Sequence, residues 1–253
     1  MIDSTRRFSS RVEDYIKYRP HYPPEVLETL KTQCGLTPSS AVADIGSGTG
    51  ILAELFLGNG NQVFAVEPNR EMREAGERLL GKQPGFHSVD GRAEATGLPG
   101  HSVQFVTAGQ AFHWFDRAKA STEFKRILMP AGWVVLVWNE RDTLSTPFLA
   151  AYERLLRRYG TDYEQVDHLQ VDEAELREFY GPHGFELRAF RNRQVLDYAG
   201  ARGRLLSSSY TPEPGHPDHE PMLAELARLF KDHQENGRVV FEYTTAMYYG
   251  QLQ

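Results

Sequence analysis

Apolar positions along the chain follow two different periods, and the change between them divides the sequence into segments. Before residue 35, apolar residues recur at helical spacing in two short stretches. The first runs from Phe8 to Ile16, and Tyr22-Pro23-Pro24 separates it from the second. From residue 40 to residue 138, short apolar runs alternate with amphipathic stretches, which predicts right-handed βαβ units and a doubly wound, mostly parallel sheet. The predicted strands cover residues 41–45, 62–66, 86–89, 103–108 and 132–138, and the predicted helices between them cover residues 51–57, 70–80 and 116–128.

The pattern is less regular after residue 140. Residues 211–221 contain four prolines and one glycine, which predicts a loop. No stretch has the composition of a hinge between independent units, so we expect a single domain over residues 1–253. The remaining predicted helices cover residues 147–158, 172–180 and 222–233, and the remaining predicted strands cover residues 185–198 and 239–249.

Composition excludes several classes of protein. With 28 basic against 34 acidic residues, the net charge is −6, which disfavours a nucleic-acid partner because such proteins concentrate basic charge. Cys34 is the only cysteine, so an intramolecular disulfide is impossible, and no residues at ligand spacing predict a metal site. The first residues lack the apolar region of a signal peptide, and the clean apolar run at residues 133–138 is too short to span a bilayer. We therefore expect a cytoplasmic protein with no membrane partner.

A glycine cluster, Gly46-Ser47-Gly48-Thr49-Gly50, lies between the first predicted strand and the helix that follows it. Glycine permits positive φ and close approach of a ligand to the backbone, and this junction of a parallel sheet is the expected ligand crevice. Ile51 stands where a dinucleotide fingerprint requires a further glycine. Glu67 follows Gly46 by 21 residues, at the end of the second strand, where a carboxylate can accept hydrogen bonds from ribose hydroxyls. Together these features predict a nucleoside site.

Five segments of the chain resemble a class I S-adenosylmethionine-dependent methyltransferase: VADIGSGTG, VFAVEPN, GRAEATGLP, FVTAGQAFHWFD and LMPAGWVVLVW. The likeness is greatest to the small-molecule "methyltransferase type 11" group, which includes trans-aconitate methyltransferase-like and ubiquinone-biosynthesis-type enzymes. The motifs cover about residues 9–140, and the C-terminal third is similar only in outline. The resemblance implies a Rossmann-like sheet of seven strands, with helices on both faces and the last strand antiparallel. It also divides the domain into an N-terminal helical lid (1–35), a cofactor-binding core (36–140), a variable acceptor-side region with the sixth strand (141–235) and a final strand (236–253).

The resemblance implies S-adenosylmethionine as cofactor and S-adenosylhomocysteine as product. The glycines would face the methionine part, Asp44 would orient their loop, and Glu67 would hold the ribose. Ala93 would offer its N–H to the adenine. Arg92 stands where many relatives carry an aspartate that accepts from the adenine amino group, and arginine cannot accept a hydrogen bond, so it either lies over the base or is a solvated surface residue. The cofactor-binding residues implied in this way are Tyr15, Arg19, Asp44, Gly46, Ser47, Gly48, Gly50, Glu67, Pro68, Asn69, Ala93, Glu94, Ala108 and Gln110.

The segment after the fourth strand, residues 109–115, borders the same crevice and supplies candidates for contact with the methyl acceptor. His113 is a candidate general base toward a hydroxyl or a hydrogen-bond donor to an acceptor carboxylate, and the alternative is a structural histidine. Trp114 is a candidate wall of the acceptor pocket, with packing under the next helix as its alternative. Asn139, after the fifth strand, is placed at the same edge and completes the predicted acceptor site.

The predicted function is S-adenosylmethionine-dependent methylation of a small molecule by direct displacement, in a monomer or homodimer. The trans-aconitate-like resemblance favours O-methylation of a carboxylate or hydroxyl. C-methylation of a quinone-type ring and a non-catalytic S-adenosylmethionine sensor are the alternatives. An RNA or protein methyltransferase is disfavoured because the chain has no basic face and no Asn/Asp-Pro-Pro-aromatic motif after the fourth strand. A nicotinamide oxidoreductase is disfavoured by Ile51.

Overall fold

A computed structural model describes residues 11–163 and 172–252 of the chain. Its centre is a seven-stranded sheet in the order β3-β2-β1-β4-β5-β7-β6. Neighbouring strands among β1 to β5 pair in parallel, and β7 pairs antiparallel with both β5 and β6. The predicted doubly wound sheet with an antiparallel last strand is thus confirmed. The strands are β1 Ala41–Ile45, β2 Gln62–Val66, β3 Phe86–Val89, β4 Val103–Gly109, β5 Leu128–Arg141, β6 Glu186–Leu196 and β7 Val239–Gly250.

The helices begin where the sequence offers caps. Asn69 and Asp116 are N-cap residues, and their side chains accept hydrogen bonds from the N–H groups of Met72 at 2.9 Å and Lys119 at 3.3 Å. The α-helices are α1 Val12–Tyr18, α2 Glu25–Cys34, α3 Ile51–Gly58, α4 Arg70–Leu80, α5 Arg117–Ile127, α6 Pro147–Tyr159, α7 Glu173–Tyr180, α8 Tyr198–Leu206 and α9 His219–His233. Phe8, where the first predicted helix starts, lies outside the described residues. Within residues 11–163 and 172–252, no helix combines the length and the apolar character needed to cross a bilayer.

Three elements differ from the prediction. β5 begins at Leu128 rather than at residue 132, and Pro130 lies within it. α8 was not predicted, because two glycines lower the helix propensity of this stretch; Asp197 nevertheless caps it by accepting from the Gly200 N–H at 2.8 Å. α9 begins at His219, inside the predicted 211–221 loop, where the buried His219 ring is hydrogen-bonded to the Pro212 carbonyl at 2.8 Å.

The apolar residues form three clusters. Successive residues of β1 face opposite sides of the sheet, so Val42 joins one cluster and Ala43 the other, and both side chains are fully buried. Burial of both faces of the sheet explains why the sequences of the predicted strands are continuous apolar runs. The third cluster lies in the acceptor-side region and contains Tyr152, Leu226 and Phe241. The carboxyl ends of β1, β4 and β5 border a cavity that also receives side chains from this region.

Candidate active site

A cavity of about 630 Å³ lies at the carboxyl ends of β1, β4 and β5. Side chains from α1 and the loop after it form a second wall, and side chains from the acceptor-side region form a third. Its polar and aromatic lining residues include Tyr15, Arg19, Tyr22, Asp44, Gly46, Ser47, Gln110, His113, Trp114, Trp138, Asn139, Glu140, Arg141, Thr143, Glu153, Arg157, Tyr163, Arg204, Ser209, Tyr210 and Tyr248.

The glycine loop between β1 and α3 brings backbone close to this cavity. Gly46 has φ +66°, and a Cβ at this position would lie 2.7 Å from the Cβ of Ala111. Gly50 has φ +91°, and a Cβ there would lie 2.3 Å from Leu80 Cδ1. Both positions therefore require glycine for backbone conformation and for packing. Gly46 and Ser47 line the cavity, whereas Gly50 serves the contact between α3 and α4.

Glu67, at the end of β2, is hydrogen-bonded to the backbone of the glycine loop. One carboxylate oxygen accepts from the Gly48 N–H at 2.8 Å and the other accepts from the Asn69 N–H at 2.8 Å. The side chain is buried, and burial raises its pKa even though the two N–H groups favour the charged form. Glu67 thus links two loops, and its carboxylate does not line the cavity.

Asp44, at the end of β1, lines the cavity with an unsatisfied carboxylate. Its Oδ1 accepts from the Thr107 hydroxyl at 3.0 Å, and its Oδ2 has no hydrogen-bond partner within the part of the chain that the structure describes. Asp44 is fully buried, and this burial, assisted by the charge of Glu67, raises its pKa from 3.8 to about 7. A buried carboxylate of this kind is suited to receive a cation.

Arg19, just after α1, supplies the complementary charge. Its Nη2 donates to the Ser207 carbonyl at 2.8 Å, and its guanidinium carbon lies 5.0 Å from the centroid of the Tyr15 ring. Its buried Nε has no partner among the described residues. Burial and then the charge of Arg204 lower the pKa of Arg19. An unsatisfied acid and an unsatisfied guanidinium in one cavity fit a ligand that carries both an ammonium and a carboxylate group.

The segment after β4 forms the floor of the cavity. Gln110 has φ +56°, and its side-chain amide donates to the Asn139 carbonyl at 3.0 Å, so it joins the ends of β4 and β5. His113 and Trp114 line the cavity, and their ring centroids lie 4.7 Å apart. Phe115, the next residue, packs edge-on against Phe112 and Phe124.

The structure brings together about half of the predicted site residues. Those that line the cavity are Tyr15, Arg19, Asp44, Gly46, Ser47, Gln110, His113, Trp114 and Asn139. Those that do not are Gly48, Gly50, Glu67, Pro68, Asn69, Ala93, Glu94 and Ala108. The second group includes the residues assigned to the ribose and the adenine. Glu94 accepts from the Asp116 N–H at 2.8 Å, and Arg92 is exposed, so the assignment of the nucleoside end stays a prediction.

The acceptor-side wall contains Arg141, which follows the predicted residue Asn139 along β5, and polar residues such as Glu153 and Arg204 that the sequence did not indicate. Arg141 Nη2 donates to Glu153 Oε2 at 2.7 Å and to the Tyr163 hydroxyl at 3.0 Å. Arg204 donates from Nε to the Tyr243 hydroxyl at 3.1 Å. The spacing of Glu153 and Arg157 indicates only an ion pair along a helix, and α8, which carries Arg204, was itself unpredicted.

No group of three or more metal-ligating side chains occurs among residues 11–163 and 172–252. The described lining residues offer hydrogen bonds and fixed charges in a polar cavity.

Comparison with known proteins identifies the family. Residues 43–136 match the family model described as a methyltransferase domain. An uncharacterised methyltransferase of Schizosaccharomyces pombe is 33% identical over 248 residues, which cover 96% of each chain. A solved structure from Anaeromyxobacter dehalogenans, described as a type II methyltransferase, has a TM-score of 0.70 at 21% identity and covers 93% of this chain and 98% of its own.

A third similar protein is geranyl diphosphate C-methyltransferase of Streptomyces coelicolor, solved with S-adenosyl-L-homocysteine. It has a TM-score of 0.50 at 14% identity, and the match covers 89% of this chain and 75% of that one, so this likeness concerns the fold alone. The sheet order, the glycine loop and the match to the S. pombe protein agree with one another. The chain belongs to the class I S-adenosylmethionine-dependent methyltransferase family.

Proposed function

We propose that this protein transfers a methyl group from S-adenosylmethionine to a small polar molecule held in the 630 Å³ cavity. The observation that carries the proposal is the pair of unsatisfied groups, Asp44 Oδ2 and Arg19 Nε, that line this cavity beside the glycine loop. The α-ammonium and α-carboxylate of the cofactor's methionine part match these two charges.

Each cofactor contact is assigned to a described residue. Asp44 would hold the ammonium, Arg19 would hold the carboxylate, and the backbone of Gly46 and Ser47 would lie along the methionine chain. Each oxygen of the Glu67 carboxylate accepts from one backbone N–H and has a further lone pair, and these lone pairs would accept hydrogen bonds from the ribose hydroxyls. When bound, the cofactor supplies a methyl group on a positively charged sulfur. The residues of this chain orient it, exclude water and place the acceptor in line with it.

The acceptor side of the cavity favours a polar substrate over an apolar ring. Its wall carries Arg141, Arg204, Tyr163 and Tyr210. This lining supports O-methylation of a carboxylate or a hydroxyl and argues against C-methylation of a quinone-type ring. A carboxylate acceptor needs no base, so for such an acceptor His113 would orient the substrate; for a hydroxyl acceptor the His113 imidazole would take up its proton.

We also propose that α1 and the loop after it form a lid over the cavity. No residue of α1 is fully buried, so this helix is held mainly by polar contacts rather than by the apolar core. Arg11 donates to the carbonyls of Ser208 and Thr211, and Gln194 donates to the Tyr18 carbonyl at 3.1 Å. Because α1 lies outside the apolar clusters, we expect it to open more readily than the sheet and so to admit ligands to the cavity.

Calorimetric titration with S-adenosylmethionine and S-adenosylhomocysteine tests the cofactor, and methyl turnover with a panel of carboxylic acids and alcohols tests the reaction. We expect binding of both nucleosides and methylation of at least one acid or alcohol. Absence of binding would overturn the proposal. Binding without turnover of any acceptor would indicate a sensor instead of an enzyme.

Glu67→Ala tests the ribose assignment. We expect S-adenosylhomocysteine to bind more than about tenfold more weakly, which is about 1.4 kcal/mol or above. Because the substitution also leaves the Gly48 and Asn69 N–H groups without their partners, we expect a loss of stability of about 1–3 kcal/mol as well. Calorimetry and thermal unfolding measure the two effects separately. Unchanged affinity in the folded variant would reject the assignment.

A further inference from the structure

Three arginines line the acceptor side of the cavity: Arg141 at the end of β5, Arg157 on α6 and Arg204 on α8. We call these three residues the arginine cluster. No sequence motif assigns a role to Arg157 or Arg204. The members of the arginine cluster come from three separate elements, 16 and 47 residues apart along the chain, and the tertiary structure alone brings them to one wall.

Arg141 is buried, with 9% of its side chain exposed, and only part of its guanidinium is satisfied. Nη2 donates to Glu153 and Tyr163, which form a hydrogen bond of 2.7 Å with each other. The guanidinium carbon lies 5.1 Å from the centroid of the Tyr152 ring. Nε is buried and has no partner in the described chain. Glu153 and the rings therefore fix the orientation of Arg141 while one donor stays available.

Arg204 is buried to 5% exposure, and its hydrogen-bond partners among the described residues are both hydroxyl groups. Nε donates to Tyr243 and Nη1 donates to Ser208, each at 3.1 Å. Within residues 11–163 and 172–252, no carboxylate lies within 4.0 Å of its guanidinium. A buried guanidinium without an anion is costly, and a ligand anion would offset that cost.

Positive charge from Arg141 and Arg204 acts on the neighbouring Tyr210. Within residues 11–163 and 172–252, Glu153 contacts Arg141 at 2.7 Å and also contacts Arg157 at 3.0 Å. Burial by itself raises the pKa of Tyr210, yet the charges of Arg141, Arg204 and Arg19 outweigh it, so the pKa of Tyr210 falls below its ordinary value.

We propose that Arg141 and Arg204 bind a carboxylate of the methyl acceptor that is distinct from the atom receiving the methyl group. The acceptor therefore carries at least one anionic group besides its reacting centre. Arg141 Nε supplies one hydrogen bond, and Arg204 Nη2, which donates to no residue within 11–163 and 172–252, supplies another. Glu153 acts as a positioning residue that holds Arg141. This inference rests on the methyl transfer proposed above, because it assigns the substrate of that same cavity.

The site is separate from the one assigned to the cofactor carboxylate. Arg19 carries that role and lies on the lid, whereas Arg141 and Arg204 belong to β5 and α8. The charge of Arg204 nevertheless lowers the pKa of Arg19, so the two sites share one cavity. A test must therefore measure binding of the cofactor product and binding of the anion independently.

Calorimetric titration of the full-length protein, alone and saturated with S-adenosylhomocysteine, provides this test. The probes are acetate, succinate, glutarate, benzoate and inorganic phosphate, with succinamide as the uncharged match to succinate. Arg204→Gln removes the proposed donor. Arg193→Gln is the matched control, because it removes the same charge from the exposed face of β6. Arg204→Lys keeps the charge and serves if Arg204→Gln does not fold.

We expect at least one carboxylate to bind the wild-type protein and succinamide not to bind. Arg204→Gln should lower the affinity for that carboxylate by about tenfold or more, and Arg193→Gln should change this affinity by less than about twofold. Arg204→Lys should give an intermediate loss, because a lysine lacks the planar fork of donors. The affinity for S-adenosylhomocysteine should be the same in all these proteins.

Three results would overturn the inference: no probe binding up to about 20 mM, equal carboxylate binding by wild type and Arg204→Gln, or loss of S-adenosylhomocysteine binding in Arg204→Gln. The last result would assign Arg204 to the cofactor. Failure of the proposed methyl transfer would appear differently, as absence of nucleoside binding in the wild-type protein.

Discussion

Asp44 carries a cost to folding that its proposed role in binding the cofactor would offset. It lies at the end of a buried strand, where its carboxylate gains one hydrogen bond, from Thr107, and loses its hydration. The protein thereby holds a group that is unfavourable in the charged state until a cation arrives. Such an arrangement exchanges folding stability for ligand affinity at a single position.

The pKa of Asp44 predicts a pH dependence with a definite sign. The folded-state pKa of about 7 lies above the ordinary 3.8, so the stability that protonation contributes is fully present below pH 3.8 and is lost as the pH rises through about 7. A bound ammonium favours the charged form, so cofactor binding should release a proton below this pKa. We expect the affinity for S-adenosylhomocysteine to rise about tenfold between about pH 6 and about pH 8.

Calorimetry in buffers of different ionisation enthalpy measures both the affinity and the proton release. Asp44→Asn is the control, since its amide oxygen can still accept from Thr107 but cannot titrate. It should bind more weakly and lose the pH dependence over this range. A pH profile of the variant that parallels the wild type would assign the titration to another group.

At the scale of elements, the contact between α1 and α8 is the least expected feature of the fold. Gly203 lies on α8 where a Cβ would come within 2.0 Å of Tyr18 Cε2. The ring of Tyr18 therefore occupies space that any other residue at position 203 would fill. A glycine that weakens α8 as a helix is what allows α1 to dock there.

We therefore expect Gly203→Ala to lower the stability of the protein, whereas helix propensity alone predicts that it would raise it. An alanine in place of glycine inside a helix normally stabilises it by about 1 kcal/mol. Here we expect a lower melting temperature and faster hydrogen exchange in residues 12–18, because the new methyl group displaces Tyr18. The double variant Tyr18→Ala/Gly203→Ala should be more stable than Tyr18→Ala alone. A Gly203→Ala protein at least as stable as the wild type would show that the two helices are not in contact.

The helices and strands that the sequence predicts correctly are those whose formation depends on residues close together along the chain. The helices α4 and α5 and the apolar runs of the parallel strands depend on residues close in sequence, and the structure has these elements close to the predicted bounds. Prediction failed for α8 and for the start of α9, where glycines and prolines argue against a helix and tertiary packing outweighs them. The same limit applies to the site, because Arg204 lies on the element that local rules missed.

At the scale of the whole molecule, β7 connects the sheet to the acceptor-side region. Phe241 and Tyr243, in its first half, belong to the third apolar cluster, whereas Met247 and Tyr249, in its second half, belong to a cluster of the central sheet. Because the two clusters share one strand, neither half of β7 can unfold without the other, and we expect both clusters to lose their packing in the same transition.

We therefore expect a single thermal unfolding transition. Two of the three tryptophans, Trp133 and Trp138, lie on β5, and Trp114 lies at the cavity beside the sheet, so tryptophan fluorescence follows the sheet and its edge. Calorimetry follows the entire chain, and the two midpoints should coincide. S-adenosylhomocysteine at 100 times its Kd should add about 2.7 kcal/mol and raise both midpoints by roughly 5–10 °C. Two separate transitions, with one unaffected by the ligand, would divide the chain into independent units.

The sequence alone determined the alternation of strands and helices, the glycine loop and the family, because these depend on periodicity, backbone conformation and short motifs among neighbouring residues. Only the tertiary structure decided how β7 is inserted between β5 and β6, which residues line the cavity, and that Arg141 and Arg204 share one wall. Those features arise from contacts between residues far apart along the chain. Such contacts are chosen by burial and packing of the whole molecule, and no local pattern records them.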